Sequence, residues 1–81
     1  MTKSVFTEEY ILFRKLLREE REKAGLKQKQ LSAMLNMSNS FVCKYEQGER
    51  RIDVIEFLQI AKTIGFDPCK VIKELKNIDF K

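Results

Sequence analysis

Residues 25–48 read GLKQKQLSAMLNMSNSFVCKYEQG, and this stretch decides how the chain folds. Leu31 and Leu35 recur four residues apart, which is typical of the inner face of a short helix. Asn36 follows directly, and asparagine tolerates the left-handed backbone that ends a helix better than most residues. The pattern predicts a short helix that begins at residue 27 or 28 and ends at Asn36.

A second short helix follows the turn. Ser38 is a natural N-cap for it, and Gly48 provides a stop after about Gln47. Val42 and Tyr45 fall on its inner side. Because a three-residue turn sets two helices at a steep angle, we expect the second helix to stand out from the core.

The outer side of this second helix carries small or hydrogen-bonding side chains. They are Asn39, Ser40, Cys43, Lys44 and Gln47. Such residues suit a DNA groove, since asparagine can bond adenine, lysine can reach guanine acceptors, and serine serves either base. The alternative is an ordinary solvated face, although such faces usually carry acidic side chains. Phe41 is ambiguous, because its ring could close the core or lie against a thymine methyl.

Three more helices flank this pair. The start signals are Thr7 before two glutamates, Asp53 with Glu56 as a capping box, and Asp67–Pro68. The helices they begin are predicted at about 8–24, from Asp53 to Gly65, and at about 68–77. Their inward residues are predicted to be Tyr10, Phe13, Leu17 and Ala24, then Val54, Phe57, Leu58, Ala61 and Ile64, then Val71, Ile72 and Leu75. The prediction is an all-α fold: one compact five-helix domain over residues 8–81, after an N-terminal arm at 1–7.

Length and charge narrow the function further. A chain of 81 residues can bury one small core. The net charge is +4, and residues 25–51 hold five lysines or arginines against two glutamates. A positive field in this middle third would attract a phosphate backbone.

Several classes of function are excluded by composition. With no histidine, and with Cys43 and Cys69 as the only cysteines, a four-ligand zinc site is not expected. The lack of histidine also removes Ser-His and Cys-His nucleophiles, so we expect no enzyme and no cofactor. The sequence shows no signal peptide and no apolar run of the roughly 20 residues that span a bilayer. We therefore expect a cytoplasmic protein with reduced cysteines and no membrane contact.

The pattern G-L-x-Q-x-x-L, a short gap, then S-x-S-x-V-x-x-Y-E-x-G resembles the Cro/repressor type of helix-turn-helix, also called the Xre-like family. The resemblance extends from about Leu16 to Leu75 and implies a lambda-repressor-like fold with its helix-turn-helix at about 28–47. It implies a sequence-specific regulator of transcription that binds double-stranded DNA. Ser32 departs from the family's usual alanine, and Asn36 replaces the usual glycine of the turn. The loop at 49–53 lacks the common proline.

The resemblance also implies roles for individual residues. Contacts with DNA bases are expected from Ser38, Asn39, Ser40, Cys43 and Lys44. Contacts with DNA phosphates are expected from Lys27, Gln28, Gln47, Arg50 and Arg51. Arg21 and Glu46 match an ion pair that ties the first helix to the third, the alternative being two unrelated surface charges.

Besides DNA, the sequence suggests two kinds of partner: a second copy of the chain or another protein. A homodimer on a palindromic operator is expected, with its seam at helix 5 and the tail around Ile78 and Phe80, unless that tail folds back on the core. The alternative function is a protein-interaction module, such as an antitoxin or a partner-binding regulatory subunit. Such a module would need larger apolar anchors than Asn39 or Lys44 on its binding face. No small-molecule effector is expected.

Overall fold

The computed structural model describes residues 7–77, and five helices make up most of that part of the chain. They are α1 (Glu8–Lys23), α2 (Gln28–Met34), α3 (Phe41–Gln47), α4 (Val54–Ile64) and α5 (Pro68–Lys76). The predicted all-α, five-helix fold is confirmed. Four helices begin where the sequence indicates, and α3 begins later than predicted.

Three of the four predicted N-caps do cap their helices. The hydroxyl of Thr7 accepts a hydrogen bond from the backbone N–H of Tyr10 at 3.2 Å. Asp53 and Glu56 form a reciprocal capping box, in which each side chain accepts the other's backbone N–H, at 2.7 and 3.1 Å. The carboxylate of Asp67 caps α5 by accepting a hydrogen bond from the backbone N–H of Cys69 at 2.9 Å. These local bonds explain why helix starts could be predicted from sequence.

Helix α3 packs against α1 and α2, whereas α5 packs against α1 and α4. The core contains these buried apolar residues: Leu17, Leu31, Phe41, Val42, Tyr45, Phe57, Ile60, Ala61 and Val71. Phe13 packs against this core and connects α1 to α4, because its ring meets those of Tyr10 on α1 and Phe57 on α4 edge-to-face at 5.4 and 5.3 Å. Helix α1 thus supports both α3 and the α4–α5 pair.

Some predicted core positions are wrong. Val54, Leu58 and Ile72 are 70%, 44% and 51% exposed, and Ala24 is exposed at the end of α1. Ile60, which the sequence analysis left out, is fully buried. The reason is that periodicity identifies an apolar stripe but not how much of it a neighbouring helix covers.

The hydroxyl of Tyr45 is buried and has no hydrogen-bond partner among residues 7–77. Burial, with the nearby charge of Glu46 adding to it, raises the pKa of Tyr45 above its usual value near 10. The hydroxyl of Tyr10 differs, because it accepts a hydrogen bond from the backbone N–H of Ile52 at 2.9 Å. Within residues 7–77, the Tyr45 hydroxyl therefore has no hydrogen bond to offset its removal from water, whereas the Tyr10 hydroxyl has one.

We expect Tyr45→Phe to leave stability unchanged or to raise it by about 1 kcal/mol at neutral pH, since it removes an uncompensated polar group. The raised pKa means that the unfolded chain loses its Tyr45 proton first as the pH rises past about 10, which destabilises the native state. The variant lacks this contribution, so its advantage should grow above pH 10. Urea unfolding at pH 7 and at a higher pH measures both effects.

Tyr10→Phe provides the matched control, because it removes a hydroxyl that does accept a bond. It should destabilise by about 1 kcal/mol. A clear loss of stability in Tyr45→Phe at neutral pH would contradict the prediction.

Candidate nucleic-acid interface

Helix α3 has one side in the core and the other in solvent. Val42 and Tyr45 are fully buried. The opposite side, with the turn before it, forms the reading face, which we define as Ser38, Asn39, Ser40, Cys43 and Lys44. Cys43 is half-buried, and the other four are exposed. A helix that presents such a face can enter the major groove of DNA.

Phe41 belongs to the core. The residue is only 4% exposed, and its ring meets that of Tyr45 edge-to-face at 5.4 Å. The guanidinium of Arg50 lies 4.8 Å from the ring centre and covers it from outside. The ring therefore closes the core and does not lie at the edge of the groove against a thymine methyl.

The N-terminal end of α3 differs from the prediction. Ser38 does not cap a helix with its hydroxyl; its carbonyl oxygen accepts the N–H of Phe41 at 3.0 Å, so residues 38–40 form a turn. Ser40 occupies the cap position but makes no side-chain cap bond. The N–H of Val42 instead donates to the hydroxyl of Ser32, on α2, at 3.1 Å. The cap comes from another helix, which local sequence patterns do not reveal.

The C-terminal end of α3 is held through the side chain of Glu46. Arg21 on α1 donates two parallel hydrogen bonds to this carboxylate, from Nε to Oε2 at 2.7 Å and from Nη2 to Oε1 at 3.1 Å. Gln28 on α2 donates a third, from Nε2 to Oε1 at 2.9 Å. The Glu46 side chain is 4% exposed and that of Arg21 10% exposed. This geometry fixes both the distance and the orientation of α3 relative to α1.

Arg21 has one further bond, from Nη1 to the carbonyl oxygen of Leu26 at 2.8 Å. Its hydrogen bonds with Glu46 raise the pKa of Arg21 above its usual value, so the guanidinium stays charged at any ordinary pH. The pair is buried and also well satisfied, which is the condition for a buried ion pair to hold a structure together.

Arg14 covers the same end of α3 from a different turn of α1. Its Nη1 donates to the backbone carbonyl of Glu46 at 3.2 Å, one of the carbonyls that the end of a helix leaves without an internal donor. Gly48 ends α3 with a φ of 83°, in the left-handed region. A Cβ at this position would lie 2.6 Å from the Arg14 Nη1. The left-handed backbone therefore favours glycine, and a Cβ here would also force the end of the Arg14 side chain to shift.

The residues predicted to contact phosphates fall into two groups. Lys27, Gln47 and Arg51 are exposed. Gln28 and Arg50 are half-buried and already bonded within the protein: Gln28 to Glu46, and Arg50 to the carboxylate of Glu56 at 3.0 and 2.8 Å.

The hydrogen bonds from Arg50 lower the pKa of Glu56, so this carboxylate stays ionised down to acidic pH. Because Glu56 also belongs to the cap of α4, Arg50 ties the loop after α3 to the start of α4.

Two residues that hold α3 in place were not predicted from the sequence. Arg14 gave no signal, since a lone arginine on a mixed helix surface is ordinary. Ser32 did give one, because it stands where the resemblance calls for alanine. Both act by holding α3, and neither belongs to the reading face.

Between residues 7 and 77, no helix combines the length and apolar character needed to cross a membrane. In the same part of the chain, no three acidic, cysteine or histidine side chains come together as metal ligands would.

Comparison with known proteins agrees with this geometry. The model of the helix-turn-helix family matches residues 17–71, which include the whole of α2, α3 and α4. No match to this sequence was found among curated proteins.

Similar solved structures include the following two. One is an XRE-family like protein from Pseudomonas syringae pv. tomato str. DC3000, with 44% identity, a TM-score of 0.79, and 84% of this chain and 83% of that one covered. The other is the restriction-modification controller protein C.AhdI from Aeromonas hydrophila, with 28% identity and a TM-score of 0.68, covering 75% of this chain and 92% of that one.

Proposed function

Because the chain belongs to the XRE family of helix-turn-helix proteins and is a DNA-binding transcriptional regulator, we propose that two copies bind a palindromic operator. The observation that supports DNA binding is the reading face, four of whose five residues are exposed, in the turn before α3 and on its outer side. Helix α3 itself is held at both ends by bonds from α1 and α2.

The reading face reads the bases of the operator. Asn39 suits an adenine edge, Lys44 suits guanine acceptors, and Ser38 and Ser40 can bond bases or the phosphates beside them. Cys43 provides a small contact between them. Large apolar anchors of the kind that protein-binding surfaces use are absent from this face, which favours DNA over a protein partner at this site.

Phosphate contacts flank the reading face. Lys27, Gln47 and Arg51 are exposed and supply them directly. Gln28 and Arg50 contribute with the N–H groups left over from their bonds to Glu46 and Glu56. Their internal bonds hold them in place before DNA arrives, which lowers the entropy lost on binding.

An apolar groove of about 410 Å³ opens between α1, α4 and α5. Its lining includes Tyr10, Leu58, Ile72 and Leu75, and Ile72 and Leu58 are exposed. Exposed apolar patches on small proteins mark interaction sites. The occupant we propose is the same surface of a second copy, since a two-fold dimer buries the same patch of both subunits. Ile78 and Phe80, predicted to join this seam, lie outside the described residues.

A two-fold dimer should select a palindrome from a pool of random DNA, with half-site centres about 10 base pairs, or roughly 34 Å, apart. Sedimentation on the selected DNA should show two copies bound. Ile72→Lys places a charge in the groove and should leave a monomer that binds far more weakly. Ile11→Lys is the matched control, because Ile11 is 48% exposed on α1 and is not among the groove residues. A single copy with an asymmetric footprint would refute the dimer.

Base and phosphate contacts should respond differently to substitution. Lys44→Ala should weaken operator binding about tenfold and relax the preference at one or two base pairs. Arg51→Ala should weaken binding to all sequences alike and flatten the salt dependence by about one unit of slope. Fluorescence titrations with operator and random DNA at several salt concentrations separate the two. If Lys44→Ala behaved equally on both DNAs, its assignment as a base contact would be wrong.

A further inference from the structure

Ser32 lies where α2 crosses α3 and is fully buried. Its Oγ accepts a hydrogen bond from the backbone N–H of Val42 at 3.1 Å. Val42 is the second residue of α3, and the N–H groups in the first turn of a helix need a partner from outside it. Since Ser40 at the cap position makes no side-chain cap bond, the Ser32 hydroxyl serves as the cap of a neighbouring helix.

The bond is placed at the end of α3 that carries the reading face. Val42 lies between Ser40 and Cys43 in the chain, so a restraint on its N–H restrains the turn before it and the helical turn after it. The other end of α3 is held independently through Glu46. Loss of the Ser32 bond would therefore free the reading face without releasing the rest of the helix.

The hydroxyl is a departure from the pattern of the family, because the resemblance implies alanine at this position. Alanine would fit the crossing of α2 and α3 just as well, so packing alone does not account for serine. What serine adds is a polar atom in a place that has no access to solvent or to DNA. Its effect on DNA must then be indirect.

We propose that Ser32 is a positioning residue for sequence recognition, whose hydroxyl caps α3 from α2 and holds the reading face at one depth and rotation in the groove. The inference rests on the proposed operator binding. Base-edge bonds depend on this placement much more than contacts with phosphates do, because they require several atoms to align at once. The hydroxyl therefore contributes to discrimination between operator and other DNA.

The test compares Ser32→Ala with the wild type in two measurements. The affinity for the selected operator should fall about three- to tenfold, the value of one hydrogen bond, whereas the affinity for random DNA should change less than about twofold. In NMR spectra of the free protein, the amide proton of Val42 should move to lower chemical shift and exchange faster with solvent.

Two further variants provide controls. Ala33→Gly, at the exposed neighbouring position in α2, shifts the folding equilibrium about fivefold and keeps the Ser32 bond. It should leave the ratio of operator to random affinity unchanged. Ser32→Cys has a weaker acceptor at nearly the same place and should give intermediate values in both measurements.

The following results would contradict the positioning role of Ser32. Equal losses on operator and random DNA, an unchanged Val42 amide in Ser32→Ala, or an altered affinity ratio in Ala33→Gly would overturn the positioning role. A wild type that selects no preferred sequence would refute the proposed operator binding and this role with it. The Val42 amide would then still report whether the cap exists, so the two failures are distinguishable.

Discussion

Replacement of Glu46 by alanine is expected to lower the free energy of unfolding by about 2–4 kcal/mol. The change leaves the Arg21 guanidinium buried without its carboxylate, and it also removes the acceptor of the Gln28 amide. An uncompensated buried charge is much more costly than a lost surface ion pair. Urea unfolding monitored by circular dichroism measures the effect.

The double variant Arg21→Met with Glu46→Leu should recover much of that loss, because two apolar side chains avoid the cost of desolvating charge. Glu22→Ala is the matched control, since it breaks the exposed pair of Arg18 and Glu22 on the same helix as Arg21. It should cost less than about 1 kcal/mol. A coupling energy near zero between Arg21 and Glu46 would show that apolar packing alone positions α3.

The second large effect is expected from Gly48→Ala, with a loss of about 2–3 kcal/mol. About 1–2 kcal/mol comes from forcing alanine into the left-handed backbone. The remainder comes from Arg14, whose guanidinium the new methyl group would displace from the Glu46 carbonyl. Gln47 and Arg51 lie close to Gly48 in the chain and are proposed to contact phosphates. Binding to all DNA sequences should therefore weaken as well.

Gly25→Ala separates the two contributions. Gly25 has a φ of 72°, and a Cβ there would meet nothing within 4 Å. It should therefore show the backbone cost alone, about 1–2 kcal/mol. If Gly25→Ala and Gly48→Ala destabilised the protein equally in urea unfolding, the contact with Arg14 would contribute nothing to stability.

Features set by neighbours in sequence were predicted well. The caps at Thr7, Asp53 and Asp67 bond residues two or three positions away, so a short pattern contains all the information they need. The buried side of α3 also followed from the spacing of Val42 and Tyr45. These relationships hold in any helix of such a sequence, whatever surrounds it.

Features that depend on residues distant in sequence were not predicted. The cap of α3 comes from Ser32, ten positions before Val42, and the prediction placed it on Ser38. The exposure of Val54 and Ile72 depends on which surfaces α4 and α5 leave uncovered, and no periodicity contains that. The bonds of Arg50 with Glu56 were not predicted either, because they depend on how the loop meets α4; its contact with a DNA phosphate stays a prediction.

The separation between the residues that hold α3 and the residues that face outward has an evolutionary consequence. The side chains of Asn39, Ser40 and Lys44 are exposed and take no part in the bonds from Ser32, Arg14 or Arg21. We therefore expect mutations at these three positions to affect folding little, and mutations of the residues that hold α3 to affect it strongly. If these residues select the operator as proposed, a lineage carrying this scaffold can move from one operator to another through single substitutions, each intermediate remaining a folded protein.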